Sequence, residues 1–310
     1  MKEYYPEGNL IKTEENMRFL QSASSLLCAA AEGTVLEAPA ILCDREHNLT
    51  VELGCMKGII KREEGAIGIF EGTTRDIAVI SRVGKPVCFK VLSIENDETG
   101  RTYALLSRRA AQLECRDYIL NNVFCGDIIS AKVTHIESFG AFCDIGCGNI
   151  ALLPIDSISV SRISNPADRF SVGDNIRAIV KNIADDGKIT LTHKELLGTW
   201  EQNALGFAQG QTVTGTVRSV EDYGVFVELT PNLAGLAETG PQVRPGDGVC
   251  VYIKNILPEK MKIKLIIIDK LDGLPPQKIK YFFNGNHISR FDYSPECAVK
   301  QISSVFGKTD

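Results

Sequence analysis

The chain has one tryptophan, four histidines, no C-x-x-C pair and no excess of positive charge. It also lacks any segment close to the roughly 18 consecutive apolar residues that cross a bilayer. Each shortage excludes something. Without an apolar run, and with acids and two tyrosines in place of an apolar stretch over residues 1–10, neither a membrane span nor a secretory leader is predicted, and the expected location is cytoplasmic. With 34 Lys and Arg against 39 Asp and Glu, the formal charge of −5 supplies no basic field over the whole surface, so nucleic-acid binding has to be local. The ten cysteines mostly stand singly among apolar neighbours, as at Cys28, Cys88, Cys143 and Cys250, which reads as small hydrophobes in a reducing compartment. Cys143 and Cys147 are the closest pair, yet no second pair lies at zinc-site spacing, so no metal and no cofactor is expected.

Catalytic signatures are missing as well. There is no G-x-x-x-x-G-K-[ST] loop, no H-E-x-x-H and no G-x-S-x-G, and His47, His135, His193 and His287 are dispersed without companion motifs. Asp185-Asp186 before Gly187 has the composition of a hairpin turn. No catalytic residue is assigned, and the chain is expected not to be an enzyme.

What is present is a repeat. Residues 126–145, GDIISAKVTHIESFGAFCDI, recur 84 positions later as GQTVTGTVRSVEDYGVFVEL over 210–229, with five of twenty positions identical, among them Gly126/Gly210, Val133/Val217, Gly140/Gly224 and Phe142/Phe226. A second anchor occurs three times: Gly84, Gly173 and Gly246 each open a β-rich run reaching Ile94, Ile183 and Ile256. Three copies of one β module follow. Apolar residues alternate with period two, as at Ile129, Ala131 and Val133, then Ala141, Cys143 and Ile145, then Ile176, Ala178 and Val180, then Ile189 and Leu191. About five short strands with glycine corners read as a small closed barrel of the OB type. The predicted fold is therefore all-β: three tandem five-stranded OB-fold barrels joined by short helical linkers over 107–120 and 193–207. An amphipathic helix over 13–32 precedes them, and a hairpin from Lys278 to Tyr293 turning at Asn284-Gly285, with a short helix from about Pro295, follows and is expected to dock on the last barrel.

The alternation that turns Ala141, Cys143 and Ile145 inward puts Phe142 and Asp144 outward, and in the third copy Phe226 and Glu228. Each outer Phe follows another aromatic by three residues, Phe139 or Tyr223. With aromatics only 7% of the chain, the recurrence points to stacking platforms for unpaired bases, whereas one such ring alone would be as well explained as hydrophobic cover. Outer parity also places cations beside the rings: Lys132, Arg177, Lys181 and Lys188 in the middle copy, and Arg218, Lys254, Lys260, Lys262 and Lys264 in the last. About half of these are expected to serve solubility alone.

The run FGAFCDIG, then LLPIDSISVSRISNPADRFSVGD over 152–174, then KITLTHKELLGTW over 188–200, resembles an RNA-binding repeat of the bacterial ribosomal protein S-one family. The likeness is specific over 126–195, good over 210–269 and weaker over 33–109. It implies that Phe139 and Phe142 stack on RNA and that Lys188 contacts its backbone; outer parity and the repeat add Lys132, Arg177, Tyr223, Phe226, Lys254, Lys262 and Lys264 as candidates. It also implies an mRNA-binding protein of the small ribosomal subunit acting in translation, with single-stranded RNA as partner and no membrane. A regulatory RNA-binding protein acting off the ribosome is the alternative, and an RNA-processing nuclease the remote one. Departures are visible too: Pro154 and Ala237 stand where the family often has histidine, the third copy shortens the segment over 239–245, and the first copy has His47 and Thr50 near the ring positions. The first copy is accordingly expected to contact protein. The expected layout is 1–32 helical extension, 33–109 first barrel, 110–125 linker, 126–192 second barrel, 193–209 linker, 210–270 third barrel and 271–310 extension, with the oligomeric state unread.

Overall fold

The computed structural model describes residues 4–238, 242–273 and 279–307. It contains three closed five-stranded barrels. The first is built from β1 (Leu36–Cys43), β2 (Leu49–Glu52), β3 (Lys57–Ile60), β4 (Pro86–Asn96) and β5 (Thr102–Ser107). The second uses β6 (Ile128–Glu137), β7 (Gly140–Asp144), β8 (Ile150–Pro154), β9 (Asn175–Ile183) and β10 (Ile189–Thr192). The third uses β11 (Thr212–Glu221), β12 (Gly224–Thr230), β13 (Leu233–Ala237), β14 (Gly248–Leu257) and β15 (Lys262–Leu271). In all three the third strand pairs in parallel with the fifth while the other documented ladders are antiparallel, the arrangement of an OB barrel.

Alternation gets most of the interior right, though Ile129 is only half-buried. Ala131, Val133, Ala141, Cys143, Ile145, Ile176, Ala178, Val180, Ile189 and Leu191 are all buried, and so are Val225, Val227 and Leu229. It gets two outward residues wrong. Asp144 and Glu228 are only 2% and 1% exposed, because in each case another part of the chain covers the strand end and supplies polar partners.

The chain forms two compact units. One runs through Val123 and includes Ser130–Lys132 and Cys143–Ile150. Here the expected single helix over 13–32 is two, α1 (Glu14–Phe19) and α2 (Ala23–Glu32), because the Ser22 hydroxyl accepts from Ser25 N–H and starts a new N-terminus. After a short α3 (Ile77–Ile80), the linker helix α4 (Arg108–Asn122) is capped by Ser107. Residues before α1 supply the cover over Asp144: Glu7 N–H donates to its carboxylate at 2.7 Å, joined by Gly146 N–H at 2.8 Å. Burial and the neighbouring Glu7 charge push the Asp144 carboxyl up to about 6. Burial opposes ionisation of Glu7 too, but Arg108, bonded through Nε at 2.7 Å and Nη2 at 2.9 Å, outweighs it and holds that carboxyl below its usual range.

The other unit holds Phe124–Ile129, Val133–Phe142 and the chain from Ala151 onward. Its linker is not one helix. A turn of 3-10 helix over Lys194–Leu197 stops at Gly198, whose φ of +87° suits only glycine, and α5 (Trp200–Ala204) restarts behind a Thr199 capping box. Trp200 packs into the third barrel's core. Glu228 sits between Arg169, which donates to it, and Arg218, whose Nε is 2.9 Å away, with Asp168 3.5 Å from Arg218.

The C-terminal segment forms a hairpin, as expected, but not at the expected place. Lys278, where the hairpin was expected to begin, lies outside the described residues. No hairpin turns at Asn284-Gly285; β16 (Arg290–Asp292) instead pairs with β17 (Ser303–Val305), and the region from Pro295 forms a turn rather than a helix. Docking is on both neighbouring barrels, not the last alone: Ile288 and Phe306 pack with Ile179 and Leu196, while Tyr293 joins the third barrel's core and donates to Asn232 O at 2.6 Å.

Candidate nucleic-acid interface

The aromatic pairs occupy the same place in two barrels. Phe139 precedes β7 and Phe142 lies on it; their ring centroids are 6.0 Å apart at 89°. Tyr223 precedes β12 and Phe226 lies on it, with centroids 6.1 Å apart at 87°. In both, the first ring stands in solvent, Phe139 55% and Tyr223 69% exposed, while the second is half-buried beneath it. The glycine between them is required by closeness to the next strand, since a Cβ would lie 2.7 Å from Leu153 O at Gly140 and 2.5 Å from Ala237 O at Gly224. An exposed edge-to-face pair on an OB sheet leaves one flat face open on each barrel, which suits it to stack a base.

The cations divide into those near rings, those exposed elsewhere and those already engaged. Lys262 and Lys260 line one groove together with Tyr223, Phe226 and the main chain about Gly235. Lys264 is exposed on the same strand, two residues on. Lys254 is exposed and 3.3 Å from Glu238, and Lys188, 85% exposed, is 2.6 Å from Asp186. Lys132 is half-buried and donates to Glu7 O at 2.9 Å. Arg177 donates to Phe283 O at 2.7 Å and Gly285 O at 2.6 Å, so its guanidinium holds the C-terminal segment. Arg218 is taken up by Glu228 and is not a free outer cation.

One side chain at this surface was not singled out by the sequence. His135, on β6, stacks near-parallel to Phe142, centroids 6.0 Å apart and planes at 28°. His193 has the opposite environment: fully buried against Phe170 and Tyr281, it is pushed down to about 4 by burial and stays neutral. In the first barrel no phenylalanine or tyrosine stands at the corresponding place, where His47 Nδ1 is 3.3 Å from Asp76. Among the described residues no group of three or more His, Cys, Asp or Glu is arranged to hold a metal ion, and no helix is long and apolar enough to cross a membrane.

Residues 122–194 match the family described as S1 RNA binding domain. The chain carries an S1 domain. Beyond that segment it is similar to the small ribosomal subunit protein bS1 of Leuconostoc lactis, 33% identical over 254 residues that cover 76% of this chain and 56% of the relative. It is also similar to bS1 of Staphylococcus saprophyticus, 28% identical over 193 residues, or 57% of this chain and 49% of the relative. The chain thus spans about half the length of the curated relatives it matches. A solved multidomain protein with nucleic acid binding domains from Streptococcus pneumoniae aligns over 76% of this chain and 73% of its own at 14% identity, with a TM-score of 0.24.

Within the S1 domain Pro154 ends β8 and has no side-chain hydrogen-bonding group, and Ala237 in the third barrel is fully buried, so neither replaces a histidine contact. The exposed Lys188 gives a test of the electrostatic part. Lys188→Ala is expected to reduce the salt slope of RNA binding by about 0.7, the value for one phosphate contact on a single strand. Titrations over a salt series read it directly, and an unchanged slope would leave Lys188 paired with Asp186 alone.

Proposed function

We propose that this chain binds single-stranded RNA through the ring pairs of its middle and third barrels, and that it holds mRNA at the small ribosomal subunit during translation in the cytoplasm. The observation that carries the reading is the recurrence of one ring geometry, 6.0 Å at 89° and 6.1 Å at 87°, on two barrels whose sequences share few other outward residues. Lys262 beside Tyr223 and Phe226 supports it, since a strand stacked there brings its phosphates to a cation. In this reading Phe139, Phe142, Tyr223 and Phe226 provide base faces, and Lys188, Lys254, Lys262 and Lys264 provide charge. Lys132 and Arg177 serve the fold before the ligand, given the carbonyls they hold. The similarity to bS1 proteins supports the ribosomal half.

Stacking needs free base faces, which an A-form duplex hides. Single-stranded RNA is therefore expected to bind more tightly than a duplex of equal length in equal salt, and equal affinities would overturn the ring-platform reading. Cosedimentation of the purified chain with small ribosomal subunits tests the second half. Failure to cosediment, with single-strand binding intact, would replace it with regulation away from the ribosome.

A further inference from the structure

Resting on the reading of the rings as a base platform, we infer that His135 is a third stacking position of the middle barrel, one that the third barrel lacks. Its side chain is 62% exposed and its ring lies near-parallel to Phe142, which is itself edge-on to Phe139. Three rings therefore run in series across β6, β7 and the turn joining them. Imidazole faces are among those on which RNA-binding proteins stack unpaired bases.

His135 faces outward for a local reason. On β6 the inward residues are Ala131 and Val133, so strict alternation would turn His135 inward as well. The third barrel displays an irregularity of the kind that reverses this: in β11 the register shifts between Val217, opposite Val227, and Ser219, opposite Phe226. A bulged residue inverts the parity of everything beyond it. The 84-residue repeat places His135 at the position of Ser219 and Phe142 at that of Phe226, and the exposure of His135 after the buried Val133 agrees with a reversal at the same place. Ser219 offers a hydroxyl where His135 offers a flat face.

Glu137 acts here as a positioning residue. Its Oε1 is 2.7 Å from His135 Nε2, and because a carboxylate only accepts, that nitrogen carries the proton. The bond fixes the ring against Phe142. Glu221 stands at the equivalent place in the third barrel with no ring to hold.

The test uses the full chain, an unstructured oligouridylate and four proteins: wild type, Phe142→Ala, His135→Ala and His135→Phe, each checked for an unchanged melting temperature at the His135 position. His135→Ala is expected to weaken binding roughly 5- to 140-fold, the range for one stacked base. His135→Phe should restore it to within about twofold with an unchanged salt slope, since a stacking contact neutralises no phosphate. If Phe142→Ala weakens binding while His135→Ala does not, the inference is overturned and the platform reading stands. If the loss in His135→Ala is not rescued by phenylalanine, or comes with a reduced salt slope, His135 is a polar or phosphate contact and its assignment as a stacking position is overturned. If neither alanine variant loses affinity, the platform reading fails and the inference with it.

Discussion

Glu228→Gln is expected to lower the unfolding free energy of the unit that contains it by about 3 to 5 kcal/mol, the usual cost of removing one partner from a buried ion pair. Glu228 is 1% exposed, and the Arg169 side chain that donates to it is only 4% exposed. Taking the negative charge away leaves that guanidinium buried, with amide oxygen in place of carboxylate. Arg218 is less affected, because Asp168 remains 3.5 Å from it. The cost therefore falls mainly on Arg169, and the double variant Arg169→Met with Glu228→Gln should recover part of the loss by removing the stranded charge. Urea unfolding of the two variants and the wild type measures this, and a loss below about 1 kcal/mol for Glu228→Gln would put the pair in the class of solvated surface bridges. Function should follow stability in this case, since Glu228 lies two residues from Phe226 on β12 and ties that strand to the segment between β8 and β9.

Most of the inward face of the middle and third barrels was legible in the sequence because period-two alternation is a property of the backbone itself. Whether an outward residue meets water was not, because that depends on which distant segment lies over it. Asp144 and Glu228 show the difference. Parity puts both outside their barrels, yet residues before α1 cover the first and Arg169 covers the second. His135 escaped notice for another reason: it is exposed although it lies two residues beyond the buried Val133, a departure from period-two alternation that composition does not announce. The Asn284-Gly285 turn failed through competition: Arg177 takes the carbonyls of Phe283 and Gly285, and its own N–H donates to the Tyr281 hydroxyl at 3.1 Å, so the segment lies along the middle barrel instead of folding on itself. In the linker over 193–207 the break is at Gly198, whose positive φ no helix accommodates. The ring pairs were readable because they involve neighbours three residues apart, whose relation needs only a tight turn and one glycine.

Removing both inner rings together is expected to reduce RNA affinity most. Phe142→Ala and Phe226→Ala should each cost about 1 to 3 kcal/mol of binding, because alanine has no π-face and the remaining cations act on phosphates and not on bases. When one strand is long enough to reach both barrels, the double variant should lose about the sum of the two, because each weakened barrel still keeps the strand near the other. Fluorescence anisotropy at fixed salt reads the affinities, and melting curves of the same proteins read the alternative. Both rings are half-buried, so truncation is expected to cost less stability than the roughly 3 to 5 kcal/mol of a fully buried phenylalanine. Full core-like destabilisation with unchanged affinity would make these rings part of the barrel interior. The base platform would then have to be sought among Phe139 and Tyr223, which stand free of the core at 55% and 69% exposure.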